Sequence, residues 1–272
     1  MMAGRDCLAV GALALWAMLA HLDGAATAQP RAEATRSPVS ADDSARGDPA
    51  GDVPAALDRA RARELPPLNA AIVDLAASYP IRDDGDGQGY MWPAPRGRHG
   101  TTRDLYLGRT RIARAGRGTH CVGLTFEVLW RVLEQQPGGP GGLGLDRRRS
   151  RRLRALWFVP DPRGRGPAEA LPALDLGVAI DDPDQALPGD FVQFWMNGGR
   201  GHSAVFLSWL RDQSGQVIGL RYWSTQPWTD GIDVSSHRIG TGRHQVDGRA
   251  IFIGRVQLPA SAPTSTSTPA PR

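Results

Sequence analysis

The sequence contains no lysine, and all 32 of its basic residues are arginine. Without lysine the chain cannot form a Schiff base with a carbonyl substrate, and it lacks the phosphate ligand of a Walker-type nucleotide loop. A Gly-x-Ser-x-Gly nucleophile elbow is absent as well. The 28 acidic residues leave a formal net charge of only +4 on 272 residues, which does not predict nucleic-acid binding.

Cysteine is scarce too, with Cys7 and Cys121 the two residues of this type. Cys7 opens an apolar run, 7–22, that follows a basic residue and precedes the sequence Ala26-Thr27-Ala28. This order is typical of a cleaved secretory signal, so residues 1–28 are predicted to direct export to the periplasm or the cell exterior. Cys121 is then the single cysteine of the exported chain, with no disulfide partner in its own sequence.

Large apolar side chains are rare at both ends of the remaining chain. Residues 29–65 are rich in Ala, Pro, Asp, Arg and Ser, and residues 259–272 are mostly Ser, Thr, Pro and Ala. Such segments cannot bury enough surface to offset the entropy of ordering, so we expect a disordered linker and a disordered tail. With 41% hydrophobic and 22% charged residues the chain is globular in composition, and residues 66–258 are predicted to form one domain.

Cys121 stands at the start of an apolar segment with helical spacing. The segment runs through Gln136, Thr119 and the preceding glycines are N-cap candidates, and Pro137-Gly138-Gly139 ends it. A cysteine in the first helical turn lies near unpaired backbone N–H groups, which are expected to lower the thiol pKa and to bind an oxyanion. Cys121 is therefore predicted to be a nucleophile.

His202 has the most informative surroundings of the histidines that could serve as the base. Residues 191–195 are predicted to form a strand, 197–201 a glycine-rich hairpin loop, and 202–209 the returning strand, so His202 lies at the rim of a sheet. His120 adjoins the cysteine, but on a helix it points about 100° away. It is interpreted as a local structural residue or a substrate contact.

These segments together carry a resemblance to a known family. Cys-x-Gly at the head of a helix is followed by Gly-Asp-x-Val-x-Phe, a short glycine-rich turn and His-x-Ala-x-Phe-Leu. The pattern resembles the NlpC-type branch of the papain-like cysteine hydrolases, which are related to the CHAP amidases, and it covers about residues 106–226. That family typically has Asp-Cys-Ser-Gly-Leu at the nucleophile and His-Val-Gly-Ile-Tyr at the base. Here His120 and Val122 flank the cysteine instead, and the stretch 137–187 is longer than a minimal domain of this kind needs.

The resemblance implies an α+β fold, in which an N-terminal helix carrying the nucleophile packs on an antiparallel sheet. It implies an exported thiol-dependent hydrolase that cleaves amide bonds, in peptidoglycan stem peptides, through Cys121 and His202 and an acyl-enzyme. It also implies a polar residue on the next strand that orients the imidazole. Period-two alternation along that strand leaves Ser224 and Gln226 as candidates, with Gln226 the better one by reach. An upstream tyrosine near the oxyanion is implied as well, and Tyr106 is the matching choice.

Two tryptophans, Trp223 and Trp228, lie near the candidates for the third group in the sequence and could line a substrate groove, although tryptophan is more often a core residue. Six arginines between Arg147 and Arg154 could contact an anionic surface polymer, although such a run is more often a solvated helix face. The expected partner is a cell-wall peptide or glycopeptide, and the oligomeric state is not predicted.

No cofactor and no metal site are expected. The segment 84–89 matches the opening of a calcium loop, but the twelfth position is Pro95 where a bidentate glutamate is required. Two alternatives to the hydrolase stay open at this point. One is a transacylase that uses the same cysteine and histidine, and the other is a non-catalytic surface-binding module on this fold.

Overall fold

The structure of the protein, a computed structural model, describes residues 53–81, 89–94, 96–159 and 163–259. The predicted signal, the tail beyond 259 and the calcium-like turn at 84–88 lie outside these residues. Six helices are present in the described ranges: α1 (Val53–Arg61), α2 (Pro67–Ala77), α3 (Cys121–Glu134), α4 (Gly139–Gly142), α5 (Arg147–Trp157) and α6 (Pro167–Ala173).

The strands form one large sheet and one small hairpin. They are β1 (Leu105–Leu107), β2 (Thr110–Ala113), β3 (Gly177–Ile180), β4 (Phe191–Met196), β5 (Gly201–Arg211), β6 (Val217–Gln226), β7 (Gly231–Arg238) and β8 (Val246–Val256). β1 and β2 pair with each other, and the other six pair in the order β3-β8-β4-β5-β6-β7. Every pairing is antiparallel. The protein is thus of the α+β class, as predicted.

The two faces of the large sheet contribute to different apolar clusters because successive side chains in a strand point to opposite sides. Phe191, Val205 and Trp223 pack with the helices, including the buried face of α3. Phe194, Phe206 and Tyr222 belong to a second cluster, which the sheet forms with the loops around it. By this alternation Ser203 and Thr225 face α3, while His202 and Gln226 are on the second face.

The predicted linker 29–65 is corrected at its C-terminal end. Residues 53–61 form α1, in which Ala56, Leu57 and Ala60 are no more than 5% exposed and belong to the helix-side core. Sequence composition concealed this helix because its apolar residues are mostly alanine, and its buried stripe is narrow. α1 packs on α2 and on β5, so the ordered domain begins before residue 66.

The long stretch 137–187 folds into α4, α5, α6 and β3. α6 packs on β3, β4 and β8, and its Ala170 and Leu171 join the core next to Leu153 and Trp157 of α5. The Trp157 indole lies 5.0 Å from the Phe191 ring, and its Nε1 donates to Thr125 Oγ1 at 3.2 Å. This stretch therefore adds an edge strand to the sheet and buttresses α3 from the side.

A buried carboxylate fastens α3 to the loop that precedes β1. Glu127 is fully buried and accepts from the Tyr79 hydroxyl at 2.9 Å, from Thr102 N–H at 2.6 Å and from Thr102 Oγ1 at 2.6 Å. A carboxylate with three donors is satisfied despite its burial. The middle of α3 is therefore held in place by Tyr79, which follows α2, and by the loop around residue 102.

No helix among the described residues is long and apolar enough to cross a membrane.

Candidate active site

Cys121 is the first residue of α3, and His120 rather than Thr119 is its N-cap. His120 Nδ1 accepts from Gly123 N–H at 3.3 Å, and the ring is 3% exposed. Burial lowers the pKa of His120 to about 4, which keeps the imidazole neutral and able to accept. The Thr119 hydroxyl is instead engaged with Thr225 Oγ1 at 2.7 Å. The contacts of His120 therefore support a local structural role rather than a substrate contact.

Gly123, the glycine of the Cys-x-Gly pattern, is required by a close approach of backbone. A Cβ at this position would lie 1.9 Å from His99 O and 2.7 Å from Gly100 O. A Cβ at Gly100 would in turn lie 2.2 Å from Cδ2 of His120. The loop at 99–100 is thus pressed onto the first turn of α3 and onto the ring that caps it.

Backbone N–H groups act on the Cys121 thiol. Those of Ser203, Val122 and Cys121 itself favour the thiolate and lower the pKa of the thiol, but burial has the larger effect and raises the pKa. The prediction of a lowered thiol pKa is therefore wrong, because desolvation outweighs the helix start. Cys121 is half-buried and is the free cysteine of the described residues.

Two pairs of hydroxyl groups fix the position of Cys121 against the sheet. Thr119 Oγ1 and Thr225 Oγ1 are 2.7 Å apart, and Thr125 Oγ1 and Ser203 Oγ are 2.9 Å apart. These threonines lie on either side of Cys121 in the chain, and Thr225 and Ser203 are the chain neighbours of Gln226 and His202. Both hydroxyl pairs therefore hold the cysteine near the ends of β5 and β6 that carry His202 and Gln226.

His202 is 5% exposed and lies in an aromatic cluster on the second face of the sheet. Its ring centroid is 5.4 Å from Phe194, 5.2 Å from Tyr222 and 5.9 Å from Trp228. Burial, and secondarily the charge of His237, lower the pKa of His202 to about 3. The ring is therefore a neutral imidazole at neutral pH, as a general base must be.

Gln226 is the polar neighbour of His202 on the next strand. β5 and β6 pair Val205 with Trp223 and Phe206 with Tyr222, and the same register continued sets His202 opposite Gln226. The Gln226 amide favours the charged form of the ring and so opposes the lowering of the pKa of His202, although no pair of their buried atoms reaches hydrogen-bond geometry. His202 Nε2 and both polar atoms of the Gln226 amide are buried without a partner of that quality among the described residues. Unsatisfied buried polar atoms are rare in proteins and are concentrated here in one place.

Ser224, the other candidate for the third group, donates from Oγ to the Ser203 backbone oxygen at 2.8 Å. It is fully buried, and this bond uses its single proton. Ser224 therefore stabilises the backbone of β5 at Ser203, one residue from His202.

The tyrosine near the nucleophile is Tyr90 and not Tyr106, which the sequence analysis chose. Tyr106 is 45% exposed, and its hydroxyl donates to Asp104 Oδ2 at 3.3 Å. Tyr90 pairs through its backbone with Thr119, and the adjacent Cys121 contributes to raising its pKa, after burial. Sequence gave no signal for Tyr90, because the bridge to Thr119 joins segments that are distant in the chain.

Two exposed tryptophans flank the site, and a third candidate is excluded from it. Trp228 is 44% exposed beside His202, and Trp92 is 66% exposed with its ring 5.3 Å from His120. Trp223 is fully buried in the helix-side core, 5.4 Å from the Tyr79 ring, so it cannot line an open groove. Trp223 is therefore not a groove residue, because the alternation of side chains along β6 points it toward the helices.

His237 is a second histidine at this end of the sheet that the sequence analysis did not assign to the site. Its Nδ1 is 2.8 Å from the Tyr222 hydroxyl, and its ring lies 5.2 Å from that of Trp228. Burial is the main cause that lowers the pKa of His237 to about 4. Tyr222 and Trp228 thus contact both histidines.

The arginines of α5 divide into two groups. Arg149 donates to the Leu174 carbonyl oxygen at 2.6 Å, and Arg154 donates to the Ile112 carbonyl oxygen. The other four are exposed: Arg147, Arg148, Arg151 and Arg152.

The fold and this geometry describe an α+β protein with a cysteine at a helix start, beside the strand that carries a buried imidazole. Comparison of the chain with models of protein families, with curated proteins and with solved structures found no match. No group of three or more His, Cys, Asp or Glu side chains that could hold a metal ion occurs in the described part of the chain.

Proposed function

We propose that the protein is a thiol-dependent hydrolase of the papain-like, NlpC-type kind, with Cys121 as nucleophile and His202 as base. The observation that carries the proposal is that hydroxyl pairs on both chain sides of Cys121, Thr119–Thr225 at 2.7 Å and Thr125–Ser203 at 2.9 Å, hold the start of α3 against the residues next to Gln226 and His202. The backbone N–H of Ser203 also acts on the Cys121 thiol and lowers its pKa. The buried, poorly satisfied pair of His202 and Gln226 supports it, since such groups collect at functional sites.

In the proposed reaction the ground state is a neutral thiol beside a neutral imidazole, as expected from the raised pKa of Cys121 and the lowered pKa of His202. The thiol proton passes to His202 as the sulfur attacks an amide carbonyl, and the new oxyanion accepts from the N–H groups at the start of α3. The imidazolium then protonates the leaving amine and becomes a neutral imidazole. This imidazole takes a proton from water as the water oxygen attacks the thioester carbonyl; the C–S bond breaks, the acyl group leaves as a carboxylic acid, and the proton returns from the imidazolium to the Cys121 sulfur.

Gln226 is proposed as a positioning residue. Its amide oxygen would accept from Nε2–H of His202, which leaves Nδ1 free to take the thiol proton. Tyr90, rather than the exposed Tyr106, would stand near the oxyanion. Trp228 and Trp92 would bound the substrate on the His202 side and on the His120 side.

The substrate class follows from the resemblance: amide bonds of peptidoglycan stem peptides, reached after export directed by residues 1–28. The four exposed arginines of α5 would contact an anionic polymer of the cell surface, because they carry positive charge on one short helix and form no ion pair within the described residues. This contact is proposed for surface attachment and takes no part in the chemistry.

The test uses purified protein from residue 29 onward and soluble peptidoglycan fragments, with products identified by mass spectrometry. We expect a new free amine and a new carboxylate, and a loss of activity of at least about a thousandfold in Cys121→Ala and His202→Ala. Gln226→Ala should lower kcat more than it changes KM, and the exposed Gln216→Ala is its matched control.

The outcomes separate the alternatives. Fragments joined to an added amine would identify a transacylase. Tight binding of cell walls without turnover, equal in the wild type and in Cys121→Ala, would identify a binding module and overturn the proposal.

A further inference from the structure

Arg200 is an exposed arginine in the turn between β4 and β5, two residues before His202. Its Nη2 lies 2.7 Å from Nδ1 of His244, and since a guanidinium can only donate, Nδ1 accepts and Nε2 of His244 carries the hydrogen. Within the described residues no carboxylate forms an ion pair with Arg200. The positive charge is therefore oriented but not neutralised.

The turn that carries Arg200 is fastened to the loop that carries His244. Asn197 Nδ2 donates to the carbonyl oxygens of Gly240 at 2.8 Å, Gly242 at 3.1 Å and Gln245 at 3.1 Å. Asn197 N–H donates to Gln245 O at 3.0 Å, and Gly198 N–H donates to Arg243 O at 2.9 Å. These bonds bring two exposed arginines and an imidazole N–H donor to one place, which we call the Arg200 corner (Arg200, Arg243 and His244).

The Arg200 corner adjoins the candidate active site, because Arg200 directly precedes β5 and lies two residues from His202 in the chain. The charge of Arg200 also acts on Tyr90, the tyrosine that interacts with Cys121, and it opposes the raised pKa of that phenol. It acts on His237 as well, whose ring contacts Trp228 beside His202. The corner and the candidate base are therefore neighbours at the same end of the sheet.

We infer that the Arg200 corner binds a carboxylate of the substrate, carried a few bonds from the scissile amide. A planar guanidinium with free N–H groups matches a carboxylate in geometry, and the His244 N–H supplies a further donor. The inference rests on the proposed function. It names the substrate class of that function, which is amides whose acyl or amine part bears a free carboxylate.

The test measures covalent labelling of Cys121 and needs no substrate turnover. N-iodoacetylglycine and N-iodoacetylglycinamide differ only in that the first carries a terminal carboxylate. We expect the ratio of their alkylation rate constants, acid over amide, to fall about two- to fivefold in Arg200→Ala at low salt, with Arg200→Lys between the two. High salt should remove the difference between wild type and variant.

Arg109→Ala is the control, because Arg109 is also exposed and lies in the hairpin turn between β1 and β2. A ratio that is unchanged in Arg200→Ala, or that falls equally in Arg109→Ala, would overturn the inference. Failure of the proposed function gives a different result: absence of turnover on peptidoglycan fragments, while the labelling ratio still responds to Arg200.

Discussion

Replacing Gly123 by alanine tests how the cysteine is positioned. The added methyl carbon would lie 1.9 Å from His99 O and 2.7 Å from both C and O of Gly100. The first distance is more than about 1 Å inside ordinary van der Waals contact. All of these atoms are backbone, so the clash is relieved only if the loop at 99–100 moves away from α3 or if the helix start tilts.

The expected magnitude follows from two opposing effects. Overpacking typically costs about 1–3 kcal/mol. The cost at this position should be at the upper end of that range, because the atoms that the new methyl group meets belong to the backbone. Alanine in place of glycine returns up to about 1 kcal/mol of helix propensity. We therefore expect Gly123→Ala to lower the free energy of unfolding by about 2 kcal/mol. It should also slow iodoacetamide labelling of Cys121, because the same loop supports the ring that caps the helix.

Denaturant unfolding, followed by tryptophan fluorescence at constant m-value, measures the first effect. Gly141→Ala is the matched control: Gly141 is also helical, and a Cβ there meets nothing within 4 Å, so this variant should match the wild type or exceed it slightly in stability. If Gly123→Ala were as stable as Gly141→Ala and labelled at the wild-type rate, the close approach would not constrain the site.

Three further predictions concern charge. Asp190→Asn should cost about 3–5 kcal/mol, because the fully buried carboxylate accepts from Arg255 at 2.7 and 2.8 Å. Asp247→Asn, which removes the carboxylate of an ion pair on the surface, should cost far less, and equal losses in denaturant unfolding would contradict this. Because the pKa of His202 is lowered to about 3, this residue binds a proton below pH 6.5 in the unfolded chain but not in the native chain. As the pH falls below 6.5, His202 should therefore lower the free energy of unfolding by about 1.4 kcal/mol per pH unit. If the free energy of unfolding of a His202→Asn variant had the same slope as the wild type between pH 6 and pH 5, the prediction would be refuted. Burial raises the pKa of Cys121, so its labelling rate should still be rising at pH 9; a plateau below pH 8 is the contrary result.

Much of the site could be located from sequence because its elements are local. Cys121 begins a helix that ends before Pro137-Gly138, and helical periodicity together with these stop signals needs no tertiary information. The hairpin that carries His202 follows from a strand, a glycine-rich turn and a second strand. Alternation along β6 left Ser224 and Gln226 as the candidates for the third group, and the register of β5 with β6, known from the structure alone, sets Gln226 opposite His202.

Other properties depended on which segments meet. Thr119 is the better N-cap by residue type, yet its hydroxyl is taken by Thr225, and His120 caps instead. Tyr106 was the matching tyrosine by order, but the approach of residues 89–91 to Thr119 sets Tyr90 beside Cys121.

The amino-acid sequence by itself determined the α+β class, the helix at Cys121, the strands at His202 and Gln226, and the absence of lysine chemistry, because each depends on residue type and short-range spacing. The tertiary structure decided the direction of the Cys121 pKa, the burial of Trp223 and the ordering of α1. These depend on desolvation and on packing between distant segments. A helix start favours a thiolate, but the sheet and the loops that close over the sulfur remove enough water to reverse the effect.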